Sequence, residues 1–180
     1  MRHFSITLIA LLFLLFAIGC SSPTEQATLV PNSNENSSVA GNSNNPLIDV
    51  RLDVTPSINQ EGKVSFLVDT NLPDSTIIMF TLSQGGYSAQ DKGAVKNGTI
   101  STSHFSKQGV PLPAGDYVLN ISTPIASSQS KEVQQLIGEK GTNLTGNLTK
   151  ECEYFAGMVV VDAVYSISIS EDGSISCDFG

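Results

Sequence analysis

From Pro46 onward the apolar residues of this chain recur at every second position, and that periodicity excludes most of what the sequence could otherwise build. Successive side chains of a strand point to opposite faces, so this alternation gives one buried and one wet face; a helical stripe needs a period of about 3.6. Ile48, Val50, Leu52 and Val54 alternate with Asp49, Arg51 and Asp53. Val64, Phe66 and Val68 repeat the pattern after the turn-rich stretch from Pro56 to Gly62. Asn71-Leu72-Pro73-Asp74 breaks the chain again, and Ile77 to Leu82, apolar on both faces, predicts a central strand covered on both sides.

Two hairpins can be predicted to register. Asn97-Gly98 is a two-residue turn signal, since both positions favour positive φ. It sets Val95 opposite Ile100 and brings Asp91 level with His104 as an exposed cross-strand pair. Near the carboxyl end, Val159, Val161, Ala163, Tyr165, Ile167 and Ile169 share one face, and Ser166, Ser168 and Ser170 the other. A three-residue loop, Glu171-Asp172-Gly173, would pair Ile169 with Ile175, Ile167 with Cys177 and Tyr165 with Phe179; a two-residue loop would oppose Ile175 to Ser170 and mix the faces. The one helical candidate is Ser130 to Ile137, with Val133, Leu136 and Ile137 as its stripe and Gly138 as its stop.

Gly115-Asp116-Tyr117-Val118-Leu119 follows a turn at Leu112 to Ala114 and places Tyr117, Leu119 and Ile121 inward. This segment resembles the late strand of immunoglobulin-like sandwiches, and the resemblance implies a corner tyrosine whose hydroxyl bonds back to the chain. Together these segments predict an all-β domain, an immunoglobulin-like antiparallel β-sandwich of about seven or eight strands.

The amino-terminal part is of another kind. Arg2 precedes an apolar run from Ile6 to Phe16, too short to span a membrane comfortably, which reads as an export signal. Ala17-Ile18-Gly19-Cys20 then resembles the lipobox of bacterial lipoproteins. The resemblance implies cleavage before Cys20 and lipid on its thiol, hence an extracytoplasmic protein held at the cell membrane or outer membrane through that lipid. Ser21 to Asn45 is dominated by Ser and Asn, nearly half its residues, with little to bury, and so cannot offset its own ordering entropy. The expected organisation is a signal peptide over 1–19, a lipidated residue and disordered tether over 20–45, and one domain over 46–180.

Acids outnumber bases 17 to 9, which argues against nucleic acid as a partner. Beyond the leader the only histidine is His104, so a catalytic triad or a zinc site would depend on it alone; no catalytic, metal or cofactor-binding residue is predicted. Glu151 and Glu153 alternate onto one face among lysines, where solvation explains them. With Cys20 lipidated, Cys152 and Cys177 are the remaining thiols. They could form a disulfide if the chain bends at Ala156-Gly157, and stay free if residues 152–170 run as one strand. The expected function is a non-enzymatic binding or envelope-structural module whose partner is an unknown protein or cell-envelope ligand. The alternative is an inhibitor or accessory subunit of an extracellular enzyme, making contact through an exposed edge or a loop such as Ser83 to Gly93; a carboxylate-based hydrolase stands behind both.

Overall fold

The computed structural model describes residues 45–180; the expected leader, Cys20 and nearly all of the tether lie outside them. In chain order the strands are β1 (Ile48–Asp49), β2 (Leu52–Ile58), β3 (Val64–Thr70), β4 (Ile77–Gln84), β5 (Tyr87–Ala94), β6 (Thr99–Ser101) and β7 (Gly115–Ser122). A 3-10 turn (Ala126–Ser128) and one helix, α1 (Lys131–Ile137), precede β8 (Leu144–Thr145), β9 (Thr149–Glu151), β10 (Val159–Ile169) and β11 (Ile175–Phe179). The domain is all-β apart from that helix, and its sheets pack as a sandwich. The larger sheet has the order β11-β10-β7-β4-β5, with β9 also on β10; the smaller is β2-β3-β6, and β1 with β8 forms a separate two-stranded pair. The eleven described strands exceed the expected number because β1, β6, β8 and β9 span only two or three residues each, too short for an alternation to show.

Alternation placed the core well. Val64, Phe66 and Val68 of β3, Ile78, Phe80 and Leu82 of β4, Tyr117, Leu119 and Ile121 of β7, and Val161 to Ile169 at every second residue of β10 are all buried. The β10–β11 hairpin has the predicted register, Ile169 with Ile175, Ile167 with Cys177 and Tyr165 with Phe179, closed at Gly173 with φ +82°. The opposite face of β4 is only half covered, since Ile77, Met79 and Thr81 retain partial exposure.

The Asn97-Gly98 turn forms, with φ +52° and +74°, and Lys96 and Thr99 bond to each other across it. The hairpin ends there. Val95 turns to bond Thr76 in one sheet, whereas Ile100 pairs with Val68 in the other. Asp91 therefore does not face His104; its Oδ2 accepts the backbone N–H of Ser103 at 2.6 Å, and His104 stands exposed. A second break divides the first predicted strand after Asp49. The Asn71 side chain fills that gap by accepting from Arg51 N and donating to the Asp49 carbonyl, and the chain passes from a parallel pairing with β8 to an antiparallel one with β3.

α1 ends where predicted, at Ile137, and begins one residue later than expected, with Ser130 as its N-cap. The Ser130 hydroxyl accepts from Val133 N at 3.3 Å, and Gly138 ends the helix at φ +87°. Its buried stripe is Val133, Gln134 and Ile137; Leu136, expected inside, is 45% exposed. Gln134 takes the inner place because its amide can donate to the Gln129 carbonyl at 2.8 Å. Gln129 itself completes the large sheet. Continuing the β4–β7 register past Ser122 would set Pro124 opposite Ile77, and proline has no N–H to give. The Gln129 amide substitutes, accepting from Ile77 N at 2.8 Å and donating to Ile77 O at 3.0 Å.

Candidate functional site

Each sheet presents an inner face to the core, and the outward face of the larger one is covered by no described helix. Across it the register sets Asp178, Ser166, Val118, Ser83 and Ser88 in one row, and Val164, Asn120, Thr81 and Gln90 in the next. These side chains are short and mostly hydroxyl or amide, so they can form hydrogen bonds with little loss of rotamer freedom. The face is not flat. Asp116, Val118, Ser166, Ser168 and Asp178 line a shallow depression of about 420 Å³, floored by Tyr117 and Ile167. The Ser168 hydroxyl bonds Asp116 Oδ1 at 2.9 Å, which orients that carboxylate beside the depression.

Farther along the same face, Asp162 lies between Asn120, which donates to it at 2.7 Å, and Lys150, its ion-pair partner. Burial opposes its charge, yet the bonds from Lys150 and Asn120 and the charge of Lys150 outweigh burial and hold the carboxyl below the ordinary aspartate range. That pair stiffens the β9–β10 edge of the face.

Two other concavities open on the domain. A cleft of about 410 Å³ opens where β2 approaches β11, between Leu52, Val54, Leu148, Tyr165, Cys177 and Phe179. Tyr165 closes its base by donating to the Leu52 carbonyl at 2.8 Å, a bond that joins the two sheets. Toward the β4–β5 edge of the larger sheet, Tyr87 and Tyr117 meet edge to face at 6.2 Å in a hollow of about 360 Å³. The Tyr117 hydroxyl donates to Pro113 O at 2.8 Å, the backward bond that the immunoglobulin-like resemblance implies for this residue.

Desolvation, with the nearby Cys177 and Asp53, pushes the Tyr165 hydroxyl up to about 12 from its ordinary 10.0. A group that holds its proton more tightly when folded contributes stability that is complete below pH 10 and is lost as pH rises through about 12. Tyr165→Phe is therefore expected to show a shallower alkaline decline in its urea midpoint than the wild-type chain. At neutral pH it should cost about 1–3 kcal/mol through the stranded Leu52 carbonyl. An alkaline decline identical in both proteins would rule out this assignment.

The two thiols are free and do not bridge. The chain does bend between β9 and β10, but the bend carries Cys152 to the start of β10, where its N–H bonds Met158 O. Cys177 is level with Ile167, and the intervening strand at about 3.3 Å per residue puts the two sulfurs tens of ångströms apart. Burial, and then Asp178, raise the Cys177 thiol above its usual range. Glu151 and Glu153 do not share a strand face either: Glu151 closes β9 and accepts from Gly157 N at 2.6 Å, whereas Glu153 lies in the turn. Ser83 to Gly93, expected as a contact loop, is the β4–β5 hairpin, tightened at Gly85-Gly86.

Sequence reasoning does not single out the depression beside Asp116 and Asp178. Its signal lies in the same alternation, because the residues between inward Tyr117, Leu119 and Ile121 are Val118 and Asn120, and Ser166 and Ser168 separate inward Tyr165, Ile167 and Ile169. Comparison with protein family models, with curated proteins and with solved structures finds no match to this chain.

Proposed function

We propose that this chain is a lipid-anchored, extracytoplasmic binding module, an immunoglobulin-like sandwich whose working surface is the outward face of the larger sheet. The observation that carries this reading is the uncovered row of hydroxyl and amide side chains around the Asp116–Asp178 depression. Short hydroxyls flanked by carboxylates suit a partner rich in hydrogen-bond donors or positive charge, in keeping with a formal charge of −8. The lipobox-like Ala17-Ile18-Gly19-Cys20 supports an anchor at Cys20, and the Tyr117–Pro113 bond supports the immunoglobulin-like assignment.

The test is affinity capture from detergent-solubilised envelope with the wild-type protein and with Val118→Lys/Ser166→Lys. Both substituted side chains are solvent-exposed, so the fold should survive while the face gains bulk and positive charge. A specific partner retained by the wild type and lost by the double variant is expected. Equal capture by both would move the binding surface elsewhere, and no specific capture by either would end the binding-module reading.

A further inference from the structure

The end of the domain at which the described chain begins carries several exposed large hydrophobic residues. Asn45 bonds the Gln135 carbonyl of α1, Ile48 N bonds Asn143 O at 2.7 Å, and the Asn143 side chain donates to Leu136 O at 2.9 Å. Val159 N bonds Lys140 O, which brings the β9–β10 turn to this same end. Of the nine exposed large hydrophobic residues among those described, four lie here: Leu47, Leu136, Tyr154 and Phe155. The turns at the opposite end contribute Val110 alone. Tyr154 is 86% exposed, the highest value among them.

We propose that this end seats on the bilayer that carries the anchor, with the Tyr154-Phe155 tip entering the headgroup layer. The inference rests on the reading that Cys20 bears lipid. The sequence that would connect Cys20 to the domain joins at this end, at Asn45. A linker of that length, at no more than about 3.6 Å per residue, would keep the tip within reach of the surface that holds the lipid. Few apolar groups are then needed for seating.

The tip is also built to leave water. Cys152 N bonds Met158 O at 2.8 Å, Met158 N bonds Phe155 O at 3.0 Å, Phe155 N bonds Cys152 O at 3.3 Å, and Glu151 takes Gly157 N. These four pairings inside the turn reduce the number of backbone groups that insertion must desolvate. Tyrosine and phenylalanine are side chains that favour the interface. The charges alongside give no positive excess, with Lys131, Lys140 and Lys150 set against Glu132, Glu139, Glu151, Glu153 and Asp162. Seating should therefore be apolar in origin and independent of anionic lipid.

The chain contains no tryptophan, so a single Phe155→Trp reporter has no background emission. The mature lipidated protein carrying it, reconstituted in phosphatidylcholine vesicles, should be quenched by brominated lipid severalfold more than an otherwise identical Glu171→Trp protein, which reports from the opposite end. The difference should persist at high salt and fall when Tyr154→Asp is added. Equal or absent quenching in protein that still floats with vesicles would overturn the seating and leave the anchor intact. Protein that does not float at all would overturn the anchor, and the seating with it. Absent quenching, with emission of the Phe155→Trp reporter blue-shifted only in concentrated protein, would overturn the seating by assigning the tip to a second copy.

Discussion

Cys20→Ser is expected to abolish incorporation of palmitate and to leave the uncleaved precursor in the membrane fraction. Maturation at a lipobox of the kind that Ala17-Ile18-Gly19-Cys20 resembles begins with lipid transfer to the thiol, and serine has none to offer. The effect should be all-or-none, because stable anchoring needs more than one acyl chain and no other cysteine lies near the leader. Metabolic labelling followed by fractionation measures it. Undiminished labelling of the serine variant would exclude the lipoprotein reading.

The second large effect is a contrast between neighbours. Phe66 is 1% exposed, points into the core and meets Phe105 at a ring separation of 5.8 Å; Leu67, the next residue of β3, is 42% exposed on the other face. Phe66→Ala should cost about 3–5 kcal/mol, the removed transfer energy plus a cavity the sheets cannot close. That is a large share of the roughly 5–15 kcal/mol by which such domains are stable. Leu67→Ala should cost under about 1 kcal/mol. Urea unfolding with equal slopes would measure both, and similar losses at the two positions would contradict the facing of β3.

Where side chains alternate strongly, the sequence predicts the fold closely. The β10–β11 register is legible because a slip by one residue would exchange a face of Ile and Tyr for a face of Ser, a penalty no loop could offset. The helix is legible through Ser130 and Gly138, whose roles are local. What fails depends on distant partners. Asn97-Gly98 specifies a turn and says nothing of whether Val95 and Ile100 remain neighbours once two sheets compete for them. The β1–β8 pairing joins residues nearly a hundred positions apart through two-residue strands, which carry no periodicity. Gln129 and Asn71 each replace missing strand hydrogen bonds with a side-chain amide, and nothing in their flanking sequence indicates it. The outward depression is hidden for a different reason: its serines and aspartates have the composition of any wet strand face, and only the order of the strands collects them in one place.

The parallel pairing of β1 with β8 also determines how the domain would bear tension. A pull delivered through the residues before Asn45 acts along the axis of β1, nearly perpendicular to the bonds from Ile48 N to Asn143 O and from Val50 N to Thr145 O. Both bonds are then strained together instead of being peeled one after the other, and the Asn71 amide beyond them ties the next residue, Arg51. If Cys20 carries a membrane anchor, a load between that anchor and a bound partner would, once the Asn45–Gln135 bond gave way, fall on this clamp of two short strands before it reached the two larger sheets.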